Sequence, residues 1–311
     1  MEEVLQELWS GYGQILRLRL TGIRYQTVIA KYINLPDQTK HPRGWNTDIS
    51  HQRKVRSYQI ETHWYQKYNS KCGRHCRTPS LLASLHQDHQ TLLLLEDLDA
   101  AGYPLRLTSV TSQQVYLCLQ WLAELHATFL QENPEPPVGL WPVGTYWHLA
   151  TRPDELEALT GVDESLKAAA SAIDQALTQA RYQTLVHGDA KLANFCFSQK
   201  GDQVAALDFQ YVGGGCGMKD VAYFLGSCLD EATIAQQEDE LLAFYFRSLR
   251  EAVQKSNKAL NLDNLESEWK ELFSFAWADF HRFLKGCSPG HWKLTGYSEN
   301  VTRRVIAKSL S

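Results

Sequence analysis

The chain has 311 residues, of which 44% are hydrophobic and 21% charged, with 31 basic against 35 acidic side chains and a formal charge of −4. That length buries a large core and allows two lobes, while the slight acidity gives no footprint for nucleic acid. No apolar run is long enough for a membrane span, and the acidic amino terminus lacks a signal-peptide pattern; seven scattered cysteines read as reduced thiols in the cytoplasm.

Residues 2–9 read as a short helix. Gly11-Tyr12-Gly13 then forms a turn entering a strand, because Ile15, Leu16, Leu18 and Leu20 partly alternate with Arg17 and Arg19. Residues 26–33 make a β-branched strand with Lys31 inside it. A helix follows over about 48–68, with Val55, Tyr58, Ile60, Trp64, Tyr65 and Tyr68 inward and Asp48 as its N-cap. Cys72, His75 and Cys76 raise the question of zinc, but a structural site needs four ligands and no second paired cluster follows. A basic loop is the reading there. Residues 81–85 and 91–95 are two strands joined by a polar turn over 86–90.

Beyond a turn at 102–104, residues 112–129 read as a helix containing His126. The proline-rich stretch 133–153 holds Trp141, Tyr146, Trp147 and His148, and so long an aromatic connection often binds a ligand. A helix at about 163–181 leads into L-V-H-G-D-A-K-L-A-N-F-C-F and then V-A-A-L-D-F-Q, two short strands around a loop. The loop carries His187, Gly188, Asp189, Lys191 and Asn194, and the second strand ends at Asp208. An Asp and an Asn five residues apart, with another Asp on a nearby strand, are what Mg-dependent phosphoryl transfer requires. One carboxylate orients the attacking hydroxyl, while the amide and the second carboxylate hold metal ions against the phosphates. Gly213, Gly214, Gly215 and Gly217 read as a tight or mobile turn without the spacing of a dinucleotide motif. Four helices, at about 218–229, 232–254, 264–285 and 297–309, close the chain.

H-G-D-x-x-x-x-N followed by L-D-F-Q resembles the aminoglycoside phosphotransferase and choline kinase superfamily. The tail Asp220-Val221-Ala222-Tyr223-Phe224-Leu225 is similar to that of the ecdysteroid-kinase-like branch. The resemblance implies an α+β, protein-kinase-like bilobal fold. A small antiparallel-sheet lobe with one helix (1–97) would bind nucleotide, and a larger, mostly helical lobe (98–311) would carry catalysis and substrate. ATP and Mg²⁺ are the implied cofactors. Gly11 and Gly13 would lie over the phosphates, a plain tight turn being the alternative. Lys31, in V-I-A-K, would meet the α- and β-phosphates and pair with Glu61 of the E-x-x-W-Y helix. Glu96-Asp97-Leu98 would form the linker whose backbone holds adenine. Asp189 would take the acceptor's proton, and Asn194 and Asp208 would bind Mg²⁺. Lys191 departs from the small-molecule families and resembles the D-x-K of protein kinases, whose lysine reaches the γ-phosphate; a solvent-facing lysine is the other reading. His187 and Asp220 would brace the loop, with His126 packed beneath it.

The implied activity is transfer of the γ-phosphate to a hydroxyl of a small molecule. Trp147, Trp277, Trp292 and Tyr297 could cage a quaternary ammonium, stack on a sterol-like alcohol, or fill the helical core. Glu231, Glu238, Asp239 and Glu240 could meet an aminoglycoside or form a solvated face. A protein kinase is disfavoured because no A-P-E-like anchor follows Asp208. A kinase-shaped protein without turnover is the remaining alternative, weakened by the presence of the lysine, the helix Glu, both Asp residues and the Asn together.

Overall fold

In the computed structural model, which describes residues 2–8, 11–22, 25–35 and 48–310, the chain divides into two units. One is Met1–Arg106 with Cys196–Gln210, the other Leu107–Phe195 with Tyr211–Ser311. In chain order the elements begin β1 (Glu2–Glu7), β2 (Gly13–Arg19), β3 (Thr27–Asn34), α1 (Asp48–Lys67), β4 (Leu81–Gln87) and β5 (Gln90–Glu96). They continue α2 (Ser112–Phe129), β6 (Gln131–Glu132), α3 (Pro153–Glu157), α4 (Glu164–Thr178), β7 (Tyr182–Val186), β8 (Phe195–Phe197), β9 (Val204–Ala206) and β10 (Gly213–Gly215). The last four are α5 (Met218–Cys228), α6 (Glu231–Lys255), α7 (Leu262–Cys287) and α8 (Gly296–Ser309).

The first unit is built on an antiparallel sheet in the order β1-β2-β3-β5-β4. Its first strand corrects the expected helix at 2–9. Residues Glu2 to Glu7 pair with Leu18 to Gln14, and that ladder outweighs the weak helical preference of so short a segment. Trp9 and the capping side chain of Asp48 lie outside the described residues. At the start of β2, Gly13 has φ +130° and a Cβ there would stand 1.9 Å from Tyr32 O, so only glycine fits. Helix α1 turns Tyr58, Ile60, Trp64 and Tyr65 inward, each at most 4% exposed, while Val55 and Tyr68 are half-buried. The β4–β5 turn is tighter than 86–90, with Gln87 opposite Gln90 and Asp88 at φ 51°.

Segment Cys196–Gln210 joins this unit through long-range backbone pairing. Leu105 and Phe197 exchange two hydrogen bonds of 3.1 and 2.9 Å, and Ala206 N donates to Arg77 O at 3.0 Å. The first unit therefore takes in a stretch that comes much later in the chain. Local patterns do not show such pairing. Trp64 and Phe209 stack with ring centroids 4.5 Å apart, anchoring the strand-end D-F-Q inside the unit.

The second unit is mainly helical, and its long helices fall within a few residues of the expected spans because apolar periodicity and caps mark them, while the short α3 was not expected. Thr111 and Gln114 form a capping box on α2, while Asp230, Asn261 and Thr295 cap α6, α7 and α8. Gly213–Gly215 is the exception. Instead of a mobile turn it forms β10, antiparallel to β7 in the sheet β10-β7-β6. A Cβ on Gly213 would lie 2.3 Å from Trp141 O, and one on Gly214 2.7 Å from Pro142 O. The glycines thus let the 141–144 backbone lie against the strand. Among the described residues no helix is long and apolar enough to cross a membrane, and all seven cysteines are free.

Candidate active site

In the first unit, Lys31 points from β3 to α1, where its Nζ lies 2.6 Å from Glu61 Oε2. The expected pair is present, and both residues are buried at 4% and 2% exposure. Burial works against the Lys31 ammonium, yet Glu61 and then Asp208 hold its pKa above the ordinary lysine value. Burial pushes the Glu61 carboxyl up, and the Asp208 charge adds to that against the pull of Lys31. Two carboxylates thus share one ammonium. Asp208 itself has φ 70°, a left-handed conformation that Asp tolerates better than bulkier residues.

Gln210, which stands where protein kinases carry Gly, is explained by its contacts. Its Oε1 accepts from Lys54 Nζ at 2.7 Å and Ser57 Oγ at 3.2 Å, tying D-F-Q to α1. In the expected linker, Glu96 accepts from Arg77 and from the Ser80 amide, and Asp97 accepts Arg17 Nε at 2.9 Å. Leu98 packs with Cys196 and Ala205. These side chains serve the unit's own packing, which leaves any linker role to the backbone. Gly11 has φ +71° with open space around its Cβ position, whereas Tyr12 is buried and hydrogen-bonded to His51 at 2.7 Å. Cys72, His75 and Cys76 belong to no cluster able to hold a metal; among the described residues there is none of three or more His, Cys, Asp or Glu.

In the second unit the loop after β7 converges on Asp189. Lys191 Nζ lies 2.9 Å from Asp189 Oδ2, and Asn194 Nδ2 donates to Asp189 O at 2.7 Å and to Oδ2 at 3.2 Å. Tyr223 Oη, from α5, donates to Oδ1 at 3.1 Å. Burial, reinforced by the Asp189 charge, raises the Tyr223 phenol well above its ordinary pKa, so it stays a donor. Below the loop, Asp220 accepts the amides of His187 and Gly188 at 2.5 and 2.9 Å. His126 lies 3.2 Å from the same carboxylate and 2.7 Å from Tyr245 Oη. His187 is fully buried and its Nδ1 accepts the Asp189 amide at 3.3 Å. The bracing roles of His187, Asp220 and His126 are therefore visible as contacts.

The long connection 133–153 supports this loop from the other side. Gly144 N, Thr145 N and Tyr146 N donate to Gly214 O, Tyr211 O and Gly188 O at 2.8, 3.1 and 3.1 Å. Gly188 has φ +79°, and a Cβ there would meet Tyr211 O at 2.1 Å. Trp147 is fully buried among Tyr223, Phe280, Phe283 and Leu284, with its Nε1 donating to Asp279 Oδ2 at 3.0 Å. Trp277 is 3% exposed and meets Tyr297 edge-on at 5.2 Å, and Tyr297 Oη donates to Glu238. Only Trp292 is freely exposed, at 66%. Of the four expected substrate aromatics, Trp147 and Trp277 are core residues, the commonest fate of a helical or buried Trp. In the acidic run, Glu240 accepts from Tyr116, so Glu238 and Glu240 are occupied by tyrosines.

Three residues near Asp189 escaped the sequence reading as site residues: Tyr146, Tyr223 and Lys293. Tyr223 had a legible signal, since it lies one helical turn from Asp220 and shares its face. Lys293 had none, because it sits in the irregular segment between α7 and α8.

Each unit, taken by itself, offers oxygen donors of the kind a hard divalent cation accepts. With Asn194 Nδ2 committed to Asp189, the amide's carbonyl oxygen remains as an acceptor. The buried Lys31–Glu61 pair together with the half-buried Asp208 carries one negative charge in excess. Mg²⁺ is usually held by one or two protein oxygens, with phosphates and water completing the shell.

A solved choline kinase from Cryptosporidium parvum Iowa II matches this chain with a TM-score of 0.56 at 11% identity, covering 99% of this chain and 88% of that one. An ethanolamine kinase from Plasmodium vivax is similar at a TM-score of 0.49 and 14% identity, covering 100% of this chain and 82% of that one. The fold is the α+β, protein-kinase-like fold, with an antiparallel sheet in its N-terminal part and helices in its C-terminal part. Residues 147–258 match the family model described as "Ecdysteroid kinase-like family". The matched segment contains Asp189, Asn194, Asp208, Asp220 and Tyr223, and ends before Lys293. No curated protein matches the sequence.

Proposed function

We propose that the protein is an ATP- and Mg²⁺-dependent phosphotransferase that moves the γ-phosphate of ATP to a hydroxyl of a small molecule. The observation that carries this reading is the environment of Asp189. A buried carboxylate is held by Tyr223, Lys191 and Asn194 on a loop whose backbone is fixed by Asp220. Such a group is oriented before the substrate arrives, and a carboxylate has lone pairs left to accept one more hydrogen bond.

In the proposed reaction Asp189 accepts the proton of the acceptor hydroxyl as its oxygen bonds to the γ-phosphorus and the bond to ADP breaks. Asn194 and Asp208 are the proposed Mg²⁺ ligands, and the bound ion would neutralise phosphate charge. Lys31, kept charged and oriented by Glu61, would bind the α- and β-phosphates. The backbone at Gly11–Gly13 and at 96–98 is assigned to the phosphates and adenine. Lys191 serves Asp189 as an electrostatic partner. Seven free cysteines suit a reducing compartment, and on that ground we place the protein in the cytoplasm.

The test is thermal denaturation with and without Mg·ATP, on wild type and Asp208→Asn, a substitution that keeps the left-handed backbone accessible. Nucleotide at 100 times its dissociation constant should add about 2.7 kcal/mol to wild type. The shift should depend on Mg²⁺ and shrink in the variant. ADP release over a panel of hydroxyl compounds, with Asp189→Ala as control, then reads turnover. Absence of any Mg·ATP shift in wild type would overturn the nucleotide assignment. A shift without turnover on any hydroxyl compound would favour the kinase-shaped binding protein.

A further inference from the structure

Lys293 is a cation held beside the proposed base with no counter-ion of its own among the described residues. Its Nζ stands 4.5 Å from the ring centroid of Tyr223, 5.4 Å from that of Trp292 and 5.6 Å from that of Phe280. Tyr223 is the residue whose hydroxyl reaches Asp189 Oδ1 at 3.1 Å. Among the described residues the Lys293 ammonium makes no ion pair or hydrogen bond, and aromatic faces are its partners. Burial lowers its pKa to about 8, against the opposing charge of Asp189 and together with the like charge of Lys191. It is therefore still largely protonated at neutral pH.

The charges nearby make the consequence specific. Lys191 is paired to Asp189 at 2.9 Å, so Lys191 and Lys293 stand against one carboxylate. An acceptor bearing an ammonium would add a third cation. The Tyr223, Phe280 and Trp292 rings, which could attract it by cation–π contact, are already faced by Lys293. Of the aromatics that could otherwise form a cage, Trp147 and Trp277 are buried and Tyr297 is engaged by Glu238. An anionic group, by contrast, would give Lys293 the partner it lacks, in a partly desolvated place where such pairing is stronger.

We propose that Lys293 determines acceptor specificity, and that the acceptor is a hydroxyl compound carrying a carboxylate, selected over amino alcohols. This rests on the phosphotransferase reading of the same loop. The lysine acts on binding of the acceptor; proton transfer stays with Asp189.

The test is acceptor-dependent ADP release by the full chain with Mg·ATP, on matched sets of alcohols built on aliphatic, alicyclic and aromatic frames. Each alcohol is offered as its carboxylate, its neutral amide and its trimethylammonium analogue. Wild type should favour carboxylates at least tenfold in kcat/KM. Lys293→Met, which keeps the apolar stem on the rings, should remove that preference by raising KM for the carboxylate. The KM for ATP and the Mg·ATP thermal shift should stay unchanged, and Lys293→Arg should retain the preference. Wild-type preference for the ammonium or amide members would overturn the proposal. So would a Lys293→Met defect in KM for ATP common to all acceptors, which would give the lysine to the nucleotide. Turnover of none of the compounds, with the Mg·ATP shift intact, overturns this proposal and favours the kinase-shaped binding protein. Absence of the Mg·ATP shift in wild type instead removes the phosphotransferase reading and this proposal with it.

Discussion

Asp220 Oδ1 accepts the backbone amide of Gly188 at 2.9 Å, so the first turn of α5 holds the loop that presents Asp189. The second oxygen takes the His187 amide at 2.5 Å, and the carboxylate is fully buried. Asp220→Ala leaves two buried amides unpaired, at about 1–3 kcal/mol each. A loss of about 3–5 kcal/mol is expected in urea denaturation. Asp220→Asn, which keeps one acceptor oxygen, should fall between the variant and wild type. Equal stability of all three proteins would refute this account of the loop.

Lys31→Met leaves the buried Glu61 carboxylate, with the half-buried Asp208 carboxylate acting on it, without the ammonium. Breaking such a pair costs about 3–5 kcal/mol at neutral pH. The Glu61 carboxyl, already raised above 4.5 in the folded protein, is raised further once the lysine is gone. A group with a raised folded pKa contributes stability below its unfolded pKa, and that contribution is lost as pH rises through the folded value. The deficit of Lys31→Met relative to wild type should therefore shrink as pH is lowered from 7 towards that carboxylate range. Thermal melts across the interval measure it, and a constant deficit would show that Glu61 does not take up the proton.

Tyr223→Phe removes one hydrogen bond to the Asp189 carboxylate and leaves the ring in its packing. A hydrogen bond to a charged group is worth about 1.5–3 kcal/mol. With Asp189 as the base, kcat should fall about 10- to 100-fold, while KM for ATP holds. Steady-state kinetics with a working acceptor would show this. An unchanged kcat would remove Tyr223 from the chemistry.

Gly11 and Gly13 lie two residues apart and should respond differently to alanine. At Gly11 the Cβ meets nothing within 4 Å and only the φ of +71° resists, a penalty of about 1–2 kcal/mol. At Gly13 the Cβ would stand 1.9 Å from Tyr32 O, so β2 must shift against β3. Gly13→Ala should lose about 3 kcal/mol or more, in the range reserved for strained backbone and core overpacking. Chemical denaturation of the two variants side by side decides it.

The chemistry-bearing loop, the long helices of the second unit and the partner of Lys31 are legible from the residues alone. Each is written locally. The spacing from Asp189 to Asn194 needs no distant partner, helix ends carry their own caps at Thr111, Asp230, Asn261 and Thr295, and Glu61 is marked by the resemblance of its E-x-x-W-Y helix. What only the tertiary structure decided depends on partners far along the chain. Residues 2–7 became a strand because β2 offered a ladder. The glycines 213–215 became a strand because β7 offered a ladder, and the 141–142 backbone lies where their side chains would be. Trp147 and Trp277 were taken into the core, and Lys293 was set on the ring of Tyr223, by packing between elements with no shared local pattern. Backbone pairing and burial are properties of pairs of segments, and one segment's residues specify only half of each pair.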